Sequence, residues 1–265
     1  MWRTDTAPVP AYDALADDLA SALDPVVFAK RAGIEPDSWQ QAVLRSTARQ
    51  QILCCSRQSG KSTVSAIVTL HEALFTPESL VLLLAPVGRQ SKELLGKVRQ
   101  VYADVPGDLG AEADTQITLE LANGSRIVVI PAKEANIRGF SAVSLLVVDE
   151  AGWVPDAVYQ SIRPMLAVSQ GRIVLLSTPN GKRGHFHHEW TEGGADWHRT
   201  KITANMCPRI SPEWLARERL KIPASIFDAE YMCHFGETED AVFHYQDIRD
   251  ALTDDVKPLF AQEAA

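Results

Sequence analysis

CSRQSGKS, Cys55–Ser62, follows the strand-like stretch Gln51–Leu53 and leads into a helix-like one. It matches the phosphate-loop pattern G-x-x-x-x-G-K-[ST] except at its first position, where Cys55 stands in place of glycine. Gly60, Lys61 and Ser62 all fit, and the chemistry explains why these positions must stay. Backbone N–H groups at a helix start cradle phosphate oxygens, a lysine reaches the β and γ oxygens, and a serine hydroxyl holds Mg²⁺. Arg57, Gln58, Ser59, Gly60, Lys61, Ser62 and Thr63 are therefore the candidate phosphate contacts, with Ser62 as the Mg²⁺ ligand. Arg57 adds a second positive charge inside the loop, placed to meet a γ-phosphate. The competing explanation is a Gly/Ser-rich turn that matches by chance, so the loop needs support from elsewhere in the chain.

SLLVVDEAG, Ser144–Gly152, supplies it. The unbroken apolar run Leu145–Val148 suits a strand buried on both faces of a parallel sheet. It ends in Asp149 and Glu150, at the side of the sheet where open α/β folds bind ligands. Asp149 would act through the Mg²⁺ shell, and Glu150 would orient or deprotonate the water that attacks the γ-phosphate. The bland alternative is a strand end with a solvated acidic turn. GRIVLLSTPNG, Gly171–Gly181, reads as another buried strand, Arg172–Leu176, closed by Ser177-Thr178-Pro179. Hydroxyls there would sense the γ-phosphate; the alternative is a strand running into a Pro-Asn-Gly turn. Together the three stretches make an ATPase the leading expectation, with ATP and Mg²⁺ as ligands.

Composition narrows the class. A chain of 265 residues holds one large domain, or one domain with a small appendage. The net charge of −8 argues against a surface that coats DNA throughout, but leaves room for a local basic patch. Lys92–Arg99, Lys182-Arg183 and Arg217–Lys221 are the candidates, each of which reads equally as a solvated face. No apolar run approaches the roughly 20 residues of a membrane-spanning helix. The N-terminus lacks an apolar signal core, and four cysteines in so long a chain make no disulfide framework. A bacterial cytoplasm with no membrane partner is the expected setting.

The remaining chain places these motifs. Tyr12–Ala32 reads as one amphipathic helix stopped by Gly33. Trp39-Gln40 precede another helical stretch; Gln40 would bond an adenine edge, or the segment is a helix start capped by Asp37 or Ser38. Leu80–Ala85 is a buried strand, followed by a helix from about residue 90 to 102. Asn123-Gly124 between Thr115–Leu121 and Arg126–Ile130 signals a hairpin. Arg138-Gly139 sit in a loop just before the acidic strand, where an arginine can project toward a nucleotide or lie on the surface. Asp156–Val168 reads as helix, and His185, His187 and His188 fall in a structured loop without recognisable zinc spacing. Trp197–Ile202 reads as a strand, with helices over Pro212–Lys221 and Ala224–Phe235.

The expected fold is α/β. It has a three-layer P-loop NTPase core of the ASCE type, a mostly parallel sheet with right-handed crossovers, and a small helical lid. The expected divisions are an N-terminal helical segment (1–35), the core (36–205), a lid or linker (206–240) and a tail (241–265).

The motifs, in this order, resemble the N-terminal ATPase domain of the large terminase subunit of tailed bacteriophages and prophages. The resemblance rests on Trp39-Gln40, Ser56–Ser62, Ile137–Gly139, Val147–Ala151, Ser177–Gly181 and Phe227–Phe235, and spans roughly residues 35 to 245. It implies an ATP-driven motor that pumps double-stranded DNA into a procapsid as a homo-oligomeric ring, generally a pentamer. The portal protein and a small terminase subunit would be its partners, and its place would be transiently on the procapsid. By resemblance Gln40 matches the adenine-reading position, and Arg57, Lys61 and Ser62 the phosphate-and-magnesium loop. Asp149 and Glu150 match the metal and catalytic carboxylates, Ser177-Thr178 the coupling motif, and Arg138 an arginine that reaches the neighbouring subunit's nucleotide.

Members of the family usually continue into an RNase H-like nuclease, whereas this sequence stops at Ala265. Asp247, Asp250, Asp254 and Asp255 do not compose a two-metal site without a following sheet, so no nuclease activity is expected from this chain. Two other readings compete. One is a helicase-like ATPase on the same core. The other is a nucleotide-binding assembly module from a prophage remnant, to which the missing first glycine would point.

Overall fold

The computed structural model describes residues 11–106, 110–132, 139–237 and 251. Three helices come first, α1 (Ala11–Leu23), α2 (Pro25–Arg31) and α3 (Ser38–Arg45). Strand β1 (Gln50–Cys55) leads into α4 (Lys61–Phe75), and β2 (Leu80–Ala85) into α5 (Gly88–Asp104). Three strands follow, β3 (Ala111–Asp114), β4 (Thr118–Leu121) and β5 (Arg126–Pro131). Then come β6 (Leu145–Asp149), α6 (Asp156–Ile162), β7 (Arg172–Ser177), α7 (Gly184–Thr191) and β8 (Trp197–Ile202). The described chain closes with α8 (Pro212–Arg219) and α9 (Ala224–Glu230).

The strands form one eight-stranded sheet in the order β3-β4-β5-β2-β6-β7-β1-β8. From β5 to β8 every pairing is parallel, and β4 runs antiparallel to both of its neighbours. The apolar runs form central strands because both of their faces are covered. Val81 and Leu83 of β2, Leu145 and Val147 of β6, and Val174 and Leu176 of β7 enter a core shared with α2, α3, α4 and α5. Their alternate neighbours, Leu82, Leu84, Leu146, Val148, Ile173 and Leu175, enter a second core with Tyr159, Ile162 and Phe186 of α6 and α7. The result is the expected three-layer α/β arrangement. Each fully buried aliphatic side chain contributes about 1.5–3 kcal/mol relative to leaving it exposed, so these two cores hold the sheet.

The strand order positions the site. Strand β7 lies between β1 and β6, with Cys54 opposite Ser177, and Leu176 opposite both Leu53 and Asp149. The C-terminal ends of the loop-bearing, acidic and Ser-Thr strands therefore finish side by side.

Several elements depart from the sequence reading. The single helix expected over Tyr12–Ala32 is two, because Pro25 brings no N–H and Asp24 caps the second by accepting from Val26 N–H at 2.9 Å. The expected helix Asp156–Val168 stops at Ile162, continuing as a 3-10 turn over Arg163–Leu166 that contains Pro164. The histidine-bearing segment, expected as a loop, contains α7. Strand β3 was not expected at all; its four residues, AEAD, carry no apolar pattern and pair with β4 through an irregular register. The Asn123-Gly124 hairpin is present, with Gly124 at φ 80°. Asn123 Nδ2 donates to the carbonyls of Ala73 and Leu74 at 2.8 and 3.1 Å, tying the hairpin to the end of α4. The two last helices are shorter than read and gather around Ala204, Leu215 and Phe227.

Gly171, entering β7, tests the central packing. A Cβ there would collide with the carbonyl of Val143 and come within 2.8 Å of that of Ser144, both backbone groups with little room to yield. Gly171→Ala is expected to cost about 1–3 kcal/mol, read as a lower urea midpoint at unchanged slope.

Candidate active site

Strand β1 carries its pairing through Cys55, which sits opposite Ile202 of β8 and is fully buried. This explains how the loop dispenses with its first glycine: the position ends a strand and its side chain is part of the core. Burial pushes the Cys55 thiol far above the usual cysteine range, so it is a packing group rather than a nucleophile. The tight part of the turn comes later, where Gln58 (φ 60°) and Gly60 (φ 95°) both adopt left-handed backbone. Gly60 caps α4, and a Cβ there would fall 2.7 Å from Gln40 Nε2 and 2.8 Å from Arg209 Nη2.

Lys61 opens α4 and points at the acidic strand, its Nζ 2.6 Å from Glu150 Oε1. Glu150 follows β6 in left-handed backbone at φ 50°, a conformation that costs a non-glycine residue about 1–3 kcal/mol and persists only where its surroundings impose it. Ser177 Oγ imposes part of it, donating to Glu150 Oε2 at 3.4 Å and accepting from Gly152 N–H at 3.1 Å. Asp149 is buried, and its Oδ1 accepts from Glu150 N–H at 3.1 Å. Burial pushes the Asp149 carboxyl up to about 6, even though the Lys61 ammonium pulls the other way. Thr178, beside Ser177, is buried. Lys61, Ser62, Thr63 and Glu150 line a cavity of about 730 Å³, joined by Arg57, Gln58 and Gly60. Ser62, Asp149 and Glu150 line a neighbouring one of about 500 Å³.

Other expected residues support the loop from outside the cavity. Gln40 is buried at the start of α3, its Oε1 accepting from Asp37 N–H at 2.8 Å and its Nε2 donating to the Gly60 carbonyl at 3.4 Å. Its amide thus braces the loop and does not open toward the cavity. Arg57 pairs with the Glu230 carboxylate, and its N–H donates to the Glu230 carbonyl at 2.9 Å. Ser59 is buried, with its carbonyl held by Arg209 Nη2 at 2.7 Å. Arg138 and the four tail aspartates lie outside the described residues. None of the α7 histidines lines the cavity; His185 Nδ1 lies 3.0 Å from Asp156 Oδ1, and His188 pairs with Glu192.

Sequence reasoning missed Arg209, Trp153 and Lys97, all of which line the cavity. Arg209 is the most consequential, because it also pairs with Asp37 Oδ2 at 2.9 Å and so joins the loop to α3. Nothing local marks it; its partners are distant in the chain. Lys97 lay within the basic stretch read as either a patch or a solvated face.

The family described as terminase large subunit, T4likevirus-type, N-terminal, matches residues 52–250. The chain belongs to this family. It is 25% identical over 252 residues to the large terminase subunit of Thermus virus P23-45, covering 82% of this chain and 52% of that protein. It therefore spans about half the length of this curated relative. Its fold matches the ATPase domain of the Thermus phage P74-26 large terminase with a TM-score of 0.68 and 24% identity, over 78% of this chain and 97% of that one. The large terminase of another thermophilic bacteriophage, solved with ATP-γ-S, shares the fold with a TM-score of 0.61 and 12% identity, over 76% of this chain and 53% of that one.

In this terminase chain the loop depends on Arg209 for its shape. Arg209→Ala is expected to speed amide exchange over residues 57–60 while leaving the central strands protected, because only the loop loses hydrogen bonds. Mass-spectrometric hydrogen exchange of the two proteins reads the difference directly.

Proposed function

We propose that this chain binds ATP with Mg²⁺ in the loop cavity and hydrolyses it, as the motor domain of a terminase that drives double-stranded DNA into a procapsid. One observation carries the reading: Lys61, Glu150 and Ser177 meet within hydrogen-bonding distance at the mouth of the phosphate loop. A structural ion pair has no need of a phosphate loop beside it, nor of a strained glutamate.

The residues fit a magnesium ion. Asp149 is a buried carboxylate whose ionised form lacks full compensation, and the Ser62 hydroxyl lines the same cavity. Mg²⁺, when bound, bridges phosphate oxygens and neutralises the charge that develops on them. The loop's backbone N–H groups and the N-terminus of α4 hold the phosphates, and Lys61 turns to them from Glu150. That exchange releases Glu150 to take a proton from, or orient, the attacking water. Ser177 keeps the carboxylate in place, and with Thr178 makes the coupling element. Arg57 brings a further positive charge to the cavity wall.

Membership of the large terminase family supports the wider setting: a homo-oligomeric ring, a pentamer in the family's pattern, engaging the portal protein and a small terminase subunit. In such a ring Arg138 would complete the neighbour's site. Among the described residues no helix is long and apolar enough to cross a membrane.

Glu150→Gln is expected to lower steady-state ATP turnover by about 10²-fold or more while leaving ATP binding intact. Unchanged turnover would refute the assignment. Turnover per chain is expected to rise with protein concentration, and Arg138→Ala to remove that rise, since fingers supplied in trans contribute about 10³–10⁵ in rate. A rate independent of concentration and of Arg138 would remove the trans role and leave hydrolysis standing.

A further inference from the structure

We infer that the purine base of the nucleotide stacks on Trp214, in a cleft between the phosphate loop and the two last helices; this rests on the ATP reading above. The cleft has a volume of about 370 Å³ and is lined by Gln58, Arg209, Ile210, Ser211, Trp214 and Tyr231. Gln58 and Arg209 also line the phosphate cavity, so the two spaces adjoin through the loop itself. A nucleotide with its phosphates on the loop has its base within reach of the second space.

The chemistry of the walls suits a flat aromatic ligand. Trp214 is 41% exposed, while its neighbour in the same cluster, Phe227, is buried. A tryptophan left open in so small a cluster carries a cost in apolar surface that a ligand would offset. Its ring meets Tyr231 at 69° with centroids 5.6 Å apart, so the two rings do not stack on each other. Ser211 Oγ accepts from Trp214 N–H at 3.1 Å, which fixes the backbone that presents the ring. Gln58 brings an amide that can both donate to and accept from a base edge. Gln40, the residue first expected to read the base, spends its amide on Asp37 and Gly60. Base recognition then falls to the other side of the loop, where Trp214 and Gln58 stand.

The test compares two ligands, ATP-γ-S and inorganic tripolyphosphate, on the full chain by calorimetry. Wild type is expected to bind ATP-γ-S more tightly than tripolyphosphate. Trp214→Ala is expected to weaken ATP-γ-S by about 5- to 150-fold, the range that loss of one base–aromatic stack gives, with tripolyphosphate unchanged. Trp214→Phe is expected to restore most of the loss. Unaltered ATP-γ-S binding in Trp214→Ala would overturn the base subsite and leave the ATP reading intact. Equal weakening of both ligands would also overturn it, since Trp214 would then act on the loop through packing alone. A wild-type chain that binds neither ligand would overturn the ATP reading itself, and the subsite with it.

Discussion

The ion pair between Lys61 and Glu150 is the interaction around which the site is organised. Their side chains are only 11% and 25% exposed, and burying opposite charges is tolerable only when they are paired and further hydrogen-bonded. Glu150 meets that condition with one oxygen on Lys61 and the other on Ser177. Among the described residues Lys61 makes no second ion pair, so a phosphate is the natural competitor for its charge. The pair is thus satisfied without nucleotide, yet easily exchanged for a stronger set of contacts.

The loop that presents Lys61 is held by groups far away in the chain. Arg209 joins Ser59 to Asp37, and Glu230 takes both the side chain and the backbone N–H of Arg57. Arg57 is largely exposed and its pairing contributes only about 0–1 kcal/mol. The value of these contacts lies in geometry, because they register the helices after β8 against the turn of the loop. An excursion of those helices would change the loop's shape, and nucleotide contacts on the loop would in turn bias where the helices sit.

Much of this was legible before any coordinates. The central strands declare themselves through unbroken apolar runs such as Leu80–Ala85 and Leu145–Val148, because burial on both faces leaves no other solution. The motif ends meet because parallel strands place their C-terminal ends on one side of the sheet. What stayed hidden followed a different physics. Strand β3 takes its shape from pairing with β4 and has no pattern of its own. The break at Asp24-Pro25 was written in the sequence, but lost beneath a continuous amphipathic pattern. Arg209 acts through contacts that close only when the chain is folded, and no spacing rule reports them. Cys55 looked like a defect in the loop and proved to be the last residue of a strand.

The acidic turn and the Ser-Thr turn behave as one body. Gly152 N–H donates to Ser177 Oγ, and the Gly152 carbonyl accepts from Asn180 Nδ2 at 2.8 Å. A side chain at Gly152 would press on Ser177, Thr178 and Asn180 at 3.0 to 3.4 Å, so the glycine of DEAG is what lets the STPN turn lie against it. Glu150 is held in left-handed backbone between these contacts and the strand behind it. Strain stored in one residue and braced by a neighbouring strand end gives a means of coupling. When Lys61 leaves for a phosphate, the carboxylate loses its main counter-charge and the hydroxyl of Ser177 becomes its nearest remaining donor. The end of β7 then feels the occupancy of the phosphate loop through one hydrogen bond, and the segment after it connects through α7 and β8 to the helices that grip Arg57.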